Sequence, residues 1–192
     1  PMTYSLNEIS SLMLKAARGS GLPMGLAEDC AAAGTWLICH GQDGAAAVWE
    51  GLVSGGVIWK GPTLLDQVIA RGIDNPQTVQ IMDAPLLFLG MAGVVSAQTG
   101  TQIRIEFLNG CHAVLDPDGM TVTGVLSGGG DAVVTMVRGS GAPPGIHPPR
   151  ITRVDISPAL IRSLTERAAL TYVPATAESR QRGAGAGLTD ND

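Results

Sequence analysis

Positive charge is scarce in this chain of 192 residues. The 12 lysines and arginines stand against 17 aspartates and glutamates, so the formal net charge is −5 at pH 7. General binding to nucleic acid needs a basic surface for the phosphates, so we expect no nucleic-acid partner. Only Lys15 and Lys60 are lysines. Arginine is preferred over lysine at sites that bind carboxylates or phosphates, but GC-rich coding would produce the same excess of arginine.

Long apolar runs and cysteines are also few. No run reaches the roughly 18 apolar residues that a membrane-spanning helix needs, and no signal segment opens the chain, so we expect no membrane partner. The three cysteines, Cys30, Cys39 and Cys111, are odd in number and widely spaced, which does not fit a disulfide framework. A reduced, cytoplasmic setting is the simplest interpretation.

The common catalytic and cofactor motifs are missing as well. The sequence has no Gly-x-Ser-x-Gly elbow, no P-loop and no dinucleotide fingerprint, so it identifies no cofactor. Two Cys-His pairs, Cys39-His40 and Cys111-His112, would together supply four zinc ligands. Neighbouring residues on a strand point to opposite faces, so the second pair is poorly placed to grip one ion. We therefore predict no metal site from these pairs.

Apolar material is plentiful enough for a globular protein, at 45% of residues against 15% charged. The hydrophobic pattern predicts an α+β fold with N-terminal helices, a central antiparallel β-meander, and a C-terminal helix followed by an ordered glycine-rich tail. We treat residues 1–192 as a single domain. Its parts are a mainly helical part at 1–72, a β-rich part at 78–137, and the C-terminal helix and tail at 157–192.

Local signals predict several element boundaries. Ser5 and Glu8 form a capping box at the start of the first helix, and Asp43 caps the third helix. A short helix is predicted over residues 64–70. Residues 85–98 are apolar throughout and fit a helix or a strand; their glycines, Gly90 and Gly93, fit a backbone that other elements approach closely.

Asn109-Gly110 is the strongest hairpin signal in the chain. With a two-residue turn, Leu108 faces Cys111 and Phe107 faces His112. This register places His112 on the apolar face beside Phe107. We therefore interpret His112 as a packed or hydrogen-bonded histidine rather than a catalytic one.

A polar motif surrounds the turn between the first two helices. Lys15 and Arg18 lie one turn apart on the first helix, and Glu28 and Asp29 lie near the start of the second. Cations near the end of the first helix and anions near the start of the second stabilise the two helices, and this effect alone would explain the charged motif. In the functional interpretation Arg18 binds a substrate carboxylate or phosphate, while Glu28 and Lys15 move protons. Asp29 is the third catalytic candidate, because adjacent helical residues point about 100° apart and only one of the two acids is expected to point inward.

The second polar motif is the tail, residues 172–192, which contains little core-forming material. Its alternating glycines would let backbone N–H groups converge on an anion. The substrate-binding candidates in the tail are Arg180, Arg182, Gly183 and Gly185. Asp190 and Asp192 are open to two uses, since they would bind a hard divalent cation or pair with the arginines.

Three stretches of the chain, LNEI, KAARGSGLPMGLAED and YVPATAESRQRGAGAGLTDND, resemble a bacterial family of proteins of unknown function, DUF3726. Two positions depart from the family's pattern: Met24 stands where tryptophan is common, and Asp29 where glutamate is common. The resemblance implies no activity. It does imply that the tail belongs to the domain.

The two polar motifs lie at opposite ends of the chain, and the termini of compact domains often lie close together. We hypothesise that they form one cleft for a small anionic metabolite. The predicted function is an enzyme of small-molecule metabolism that applies acid/base chemistry to a small carboxylate-bearing substrate, with isomerisation, elimination and hydrolysis all open. The alternative is a noncatalytic subunit or ligand-binding partner of another metabolic enzyme. We also expect a homo-oligomer or a subunit of a metabolic complex.

Overall fold

A computed structural model describes residues 3–138 and 151–171. The helices described are α1 (Leu6–Gly19), α2 (Met24–Cys39), α3 (Gly44–Ser54), α4 (Gly56–Arg71), α5 (Pro85–Thr99) and α6 (Pro158–Ala169). The strands are β1 (Thr3–Ser5), β2 (Gln77–Ile81), β3 (Gln102–Phe107), β4 (His112–Asp116), β5 (Gly119–Thr123), β6 (Gly130–Val137) and β7 (Arg153–Asp155). The α+β prediction is confirmed, with helices first, a sheet in the middle and a helix near the end. The tail and the prediction made for it lie outside the described residues.

The main sheet has five antiparallel strands in the order β2-β6-β3-β4-β5. Strands β3, β4 and β5 form the meander, and β6 returns to pair with β3 on one side and β2 on the other. One face of the sheet is buried, and α5 packs against β3 and β4. The buried side chains on that face include Val79, Ile81, Ile103, Ile105, Phe107, Ala113, Leu115, Ala132, Val134 and Met136.

A separate two-stranded ribbon joins distant parts of the chain. Strand β1 pairs antiparallel with β7, and Thr3 lies opposite Asp155. The Arg153 guanidinium donates to the Thr3 carbonyl at 2.9 Å. Strand β1 leads directly into α1, and β7 is followed by α6 after two residues; these two helices pack against each other. They approach closely at Gly19, where a Cβ atom would collide with the Arg167 carbonyl.

The β3–β4 hairpin has a three-residue loop, so the predicted register was wrong. The Phe107 N–H donates to the Cys111 carbonyl at 2.9 Å, and the Gly110 N–H donates to the Phe107 carbonyl at 3.0 Å. Gly110 takes the left-handed conformation with φ 85°, which is typical of a three-residue loop with a bulge. The Asn109 side chain accepts from the Cys111 N–H at 3.0 Å and stabilises this loop.

The shift of one residue moves the following strand residues to the opposite face. Cys111 is buried with Phe107, whereas His112 is exposed and pairs across the strands with Glu106. The longer loop is favoured because it places Cys111, Ala113 and the rest of the apolar set on the buried face. The prediction that His112 lies on the apolar face beside Phe107 is therefore wrong.

Helix α4 begins at Gly56 and passes through Pro62, well before the predicted start at residue 64. The cap that makes this possible comes from Asp83. Its Oδ2 accepts from the Gly56 N–H at 3.0 Å, and its Oδ1 accepts from the Val57 N–H at 2.9 Å. A Cβ atom at position 56 would collide with this carboxylate and displace it from the cap, so glycine at this position preserves the cap.

Residues 85–98, which fit either structure from sequence, are helical. The two glycines predicted to allow close approach do so against α2. A Cβ atom at Gly93 would lie 2.5 Å from the Trp36 ring, and one at Gly90 would lie 2.8 Å from the Ala33 carbonyl oxygen. Helices α2 and α5 therefore pack closely against each other. Within the described ranges no helix combines the length and apolar character needed to cross a membrane.

Candidate functional site

A pocket of about 170 Å³ lies between α2, α4 and α5. Its walls are mostly apolar, and each helix contributes one polar side chain: Asp29 from α2, Asp66 from α4 and Gln98 from α5. The apolar lining residues are Pro62, Leu65, Ile69, Met91, Val94 and Val95. An engineered apolar cavity of about 150 Å³ takes up benzene, so this pocket has room for a small organic molecule.

Helical periodicity explains why these side chains meet. The α4 contributors are residues 62, 65, 66 and 69, and the α5 contributors are residues 91, 94, 95 and 98. Both sets follow the i, i+3, i+4, i+7 spacing that places side chains on one face of a helix. The two stripes face each other across the pocket, and Asp29 enters from α2. This repeated spacing is visible in the sequence. The sequence did not show whether residues 85–98 form a helix or a strand, however, and the α4 stripe begins at residue 62, before the predicted short helix.

Asp29 is an acid of the pocket with a raised pKa. Burial raises the pKa of its carboxyl, and the negative charges of Glu28 and Asp66 raise that pKa further. The Asp29 side chain nevertheless remains open to solvent. A carboxyl in this position can exchange protons with water and with a molecule bound in the pocket. Glu28 is exposed and is not among the lining residues, so its influence on the pocket is that of a nearby charge.

Lys15 lies at a different cavity. It lines a groove of about 480 Å³ between α1 and α6, together with Glu8 and Thr165. Glu8 is already engaged as the reciprocal partner of the capping box, because its Oε2 accepts from the Ser5 N–H at 2.7 Å. The structure therefore does not bring Lys15 and Asp29 together in one pocket.

Arg18 is engaged in the turn between α1 and α2. Its Nη1 donates to the Leu22 carbonyl at 2.6 Å, which closes the turn. This contact is a structural role, and Arg18 is not among the residues that line the pocket. The remaining candidates, Arg180, Arg182, Gly183 and Gly185, lie outside the described residues, as do Asp190 and Asp192, so their roles stay predictions.

The cysteines and histidines that the structure describes form no cluster of metal ligands. In the ranges 3–138 and 151–171, no group of three or more histidine, cysteine or acidic side chains is placed to hold a metal. All three cysteines are free, and burial raises the pKa of Cys30 to about 12, so that thiol stays protonated near neutral pH. The His40 ring stacks on Trp36 with 3.9 Å between centroids, and its Nδ1 lies 2.7 Å from the Trp36 carbonyl oxygen.

Comparison with known families gives one result for the helical part of the chain. Residues 4–71 match DUF3726, a family of proteins of unknown function. The DUF3726 match spans helices α1 to α4, so it includes Asp29 and Asp66, whereas Gln98 and the α5 wall lie beyond it. It confirms the resemblance over this part of the chain and assigns no activity. Comparisons with curated proteins and with solved structures find no match.

Proposed function

We propose that this protein acts on a small molecule by acid/base chemistry, with the pocket between α2, α4 and α5 as its site and Asp29 as its proton-transferring group. One observation supports this proposal above the others. An acid with a raised pKa stands at an apolar-walled pocket whose volume suits a small organic ligand. Raised pKa values in clefts favour acid/base work, because the group holds and releases a proton closer to neutral pH.

The other polar lining residues have distinct roles in this proposal. The Asp66 charge helps to keep the pKa of Asp29 high. The Gln98 amide offers both a donor and an acceptor, so it can orient a polar group of the substrate. Isomerisation fits this set most simply, since one carboxyl can take a proton from one atom and return it to another. Elimination and hydrolysis are compatible with the same acid but need further groups or a water molecule.

The proposal differs from the sequence-based hypothesis in its residues. Glu28 acts on the charge of the site rather than on the substrate, and Lys15 and Arg18 are placed elsewhere. No lysine or arginine is among the described residues that line the pocket. A substrate carboxylate, as expected from the sequence, would find no cationic partner among these residues, so the lining does not favour a carboxylate inside the pocket. A cytoplasmic setting remains part of the proposal.

The test is ligand mapping on the full chain by methyl NMR. We expect small organic fragments to shift the methyl signals of Leu65, Met91 and Val94. Asp29→Asn should change how fragment binding depends on pH, whereas Glu28→Gln, which alters a neighbouring exposed acid, should leave that dependence largely in place. Fragments that shift only methyls distant from these helices, or that bind identically to the Asp29→Asn variant at every pH, would refute the proposed site.

A noncatalytic, ligand-binding subunit is the second candidate, and exposed apolar side chains favour it. Trp59 is 54% exposed, Met82 52% and Val53 62%. Met82 lies beside Gly56, and Trp59 stands one turn further along α4, so these side chains offer apolar surface to a partner. Light scattering of the wild type and of Trp59→Lys tests whether this surface supports a homo-oligomer. A monomer in both cases at high concentration would count against self-association there.

A further inference from the structure

We infer that the ligand of this pocket is a small organic cation, with a protonated nitrogen at one end of an apolar body of about the size of benzene. The inference rests on the proposed function, because it names the ligand class of the same site. It is drawn from the charges around the pocket, the nature of its walls and its volume.

Among the residues that the structure describes, both charged side chains that line the pocket are acidic. Asp29 enters from α2 and Asp66 from α4, and Glu28 adds a third negative charge close to Asp29. The third wall, α5, carries no charged residue along its length, and Gln98 is its polar contribution. A cation placed between the two lining carboxylates would relieve their mutual repulsion, whereas an anion would add to it.

The donor set favours an organic cation over a metal ion. Calcium takes six to eight oxygen ligands, and magnesium takes about six in near-octahedral geometry. The pocket lining supplies the carboxylates of Asp29 and Asp66 and the amide of Gln98, and the other six lining residues are apolar. An ammonium group needs only a few acceptors, because it has three N–H donors and no fixed coordination geometry.

The walls then define the rest of the ligand. Among the lining residues, Leu65 of α4 is buried, and Val94 and Val95 of α5 are half-buried. These surfaces bind hydrocarbon by removing it from water, and they offer it no hydrogen bonds. A fully polar cation would leave them unused, so the structure assigns an amine attached to a compact hydrocarbon group.

A matched ligand series tests the inference on the full chain. Benzylamine, benzyl alcohol and benzoate share one ring and differ in charge, so calorimetry at low salt separates the contribution of charge from that of shape. We expect benzylamine to bind about tenfold more tightly than benzyl alcohol, and benzoate to bind most weakly. Added salt should reduce the preference for benzylamine, because the lining carboxylates are open to solvent.

Matched variants assign the preference to residues. Asp29→Asn and Asp66→Asn keep the side-chain shape and remove the charge, and each should weaken benzylamine by about fivefold while changing benzyl alcohol by less than about twofold. Glu28→Gln is the control, since it removes a charge from the same helix without altering the lining. It should have a smaller effect on benzylamine than either aspartate variant.

The possible outcomes separate the inference from the function on which it rests. If benzyl alcohol or benzoate binds as tightly as benzylamine, or if the Asp29→Asn and Asp66→Asn variants keep the full preference, the inference is overturned and the pocket remains a small-molecule site. If none of the three compounds shifts the methyls of Leu65, Met91 and Val94, the proposed site fails and the inference fails with it.

Discussion

Asp83→Ala should destabilise the protein through helix α4, although Asp83 is not part of that helix. The Asp83 carboxylate accepts from the Gly56 and Val57 N–H groups at 3.0 and 2.9 Å, and it is half-buried. A hydrogen bond to a charged group contributes about 1.5 to 3 kcal/mol, whereas loss of an ordinary N-cap costs about 1 kcal/mol. The two bonds share one carboxylate, and water can partly replace them, so we expect a loss of about 2 to 3 kcal/mol.

Asp83→Asn and Asp43→Ala are the controls. The amide of Asp83→Asn retains one acceptor oxygen but turns an NH₂ group toward the other N–H donor, so we expect about half the loss. Asp43 caps α3 through a single bond to the Ala46 N–H at 3.0 Å in an exposed position, and its removal should cost about 1 kcal/mol.

Urea unfolding followed by far-UV circular dichroism gives the free energies, and native-state hydrogen exchange shows whether α4 opens first. Because α4 carries Pro62, Leu65 and Asp66, the Asp83→Ala variant should also bind pocket ligands more weakly. Our explanation of this helix would be refuted if Asp83→Ala were no more destabilising than Asp43→Ala, or if protection in α4 were unchanged.

Three further predictions concern helix packing at Gly93, the charge of Asp29 and the turn closed by Arg18. Gly93→Ala should destabilise the protein by about 1 to 3 kcal/mol by forcing α2 and α5 apart, because its Cβ would lie 2.5 Å from the Trp36 ring; an unchanged melting temperature would contradict this. Asp29→Asn should be more stable than the wild type near neutral pH. The raised pKa means that the folded state binds the Asp29 proton more tightly than the unfolded state, so wild-type stability falls as pH rises from the ordinary aspartate pKa through the folded value. The gap between the two proteins should close in acid below the ordinary aspartate pKa, and a gap that widens there would reverse the sign. Arg18→Ala should cost about 1 kcal/mol through the lost bond to the Leu22 carbonyl and leave ligand affinity at the pocket unchanged; a large loss of affinity would restore Arg18 to the site.

Sequence signals succeeded where both partners of an interaction lie close along the chain. The Ser5–Glu8 capping box is present in full, with the Glu8 N–H donating to Ser5 Oγ at 3.2 Å. The Asp43 cap is present as predicted. Such contacts are set by local geometry, so a few neighbouring residues suffice to predict them.

The predicted start of α4 was wrong because the interaction that determines it joins residues far apart along the chain. Gly55, Gly56 and Pro62 all favour a break, and the group that overrides them is Asp83, which lies after the next strand. The predicted hairpin register was wrong because Asn-Gly fits loops of two or three residues. The choice between them depends on which strand face becomes buried.

The candidate site was only partly predictable. Asp29 was recognised as a candidate because it is an acid at the start of a helix, in a motif with few core-forming residues. Its neighbours in the pocket, Asp66 and Gln98, lie on α4 and α5, and they meet Asp29 because these two helices pack against each other and against α2. Lys15 and Arg18 are near Asp29 in sequence, yet one lines another cavity and the other is engaged in a turn.

The boundary of the DUF3726 match has a consequence for how the chain is divided. The match ends at residue 71, but α1 packs against α6 and α2 packs against α5, and both partners lie beyond that residue. A fragment containing only the matched region would lack these partners, so we expect buried side chains such as Leu37, which packs against Gly90 of α5, to face water there. We therefore expect the matched region not to fold independently, because helices later in the chain complete its packing.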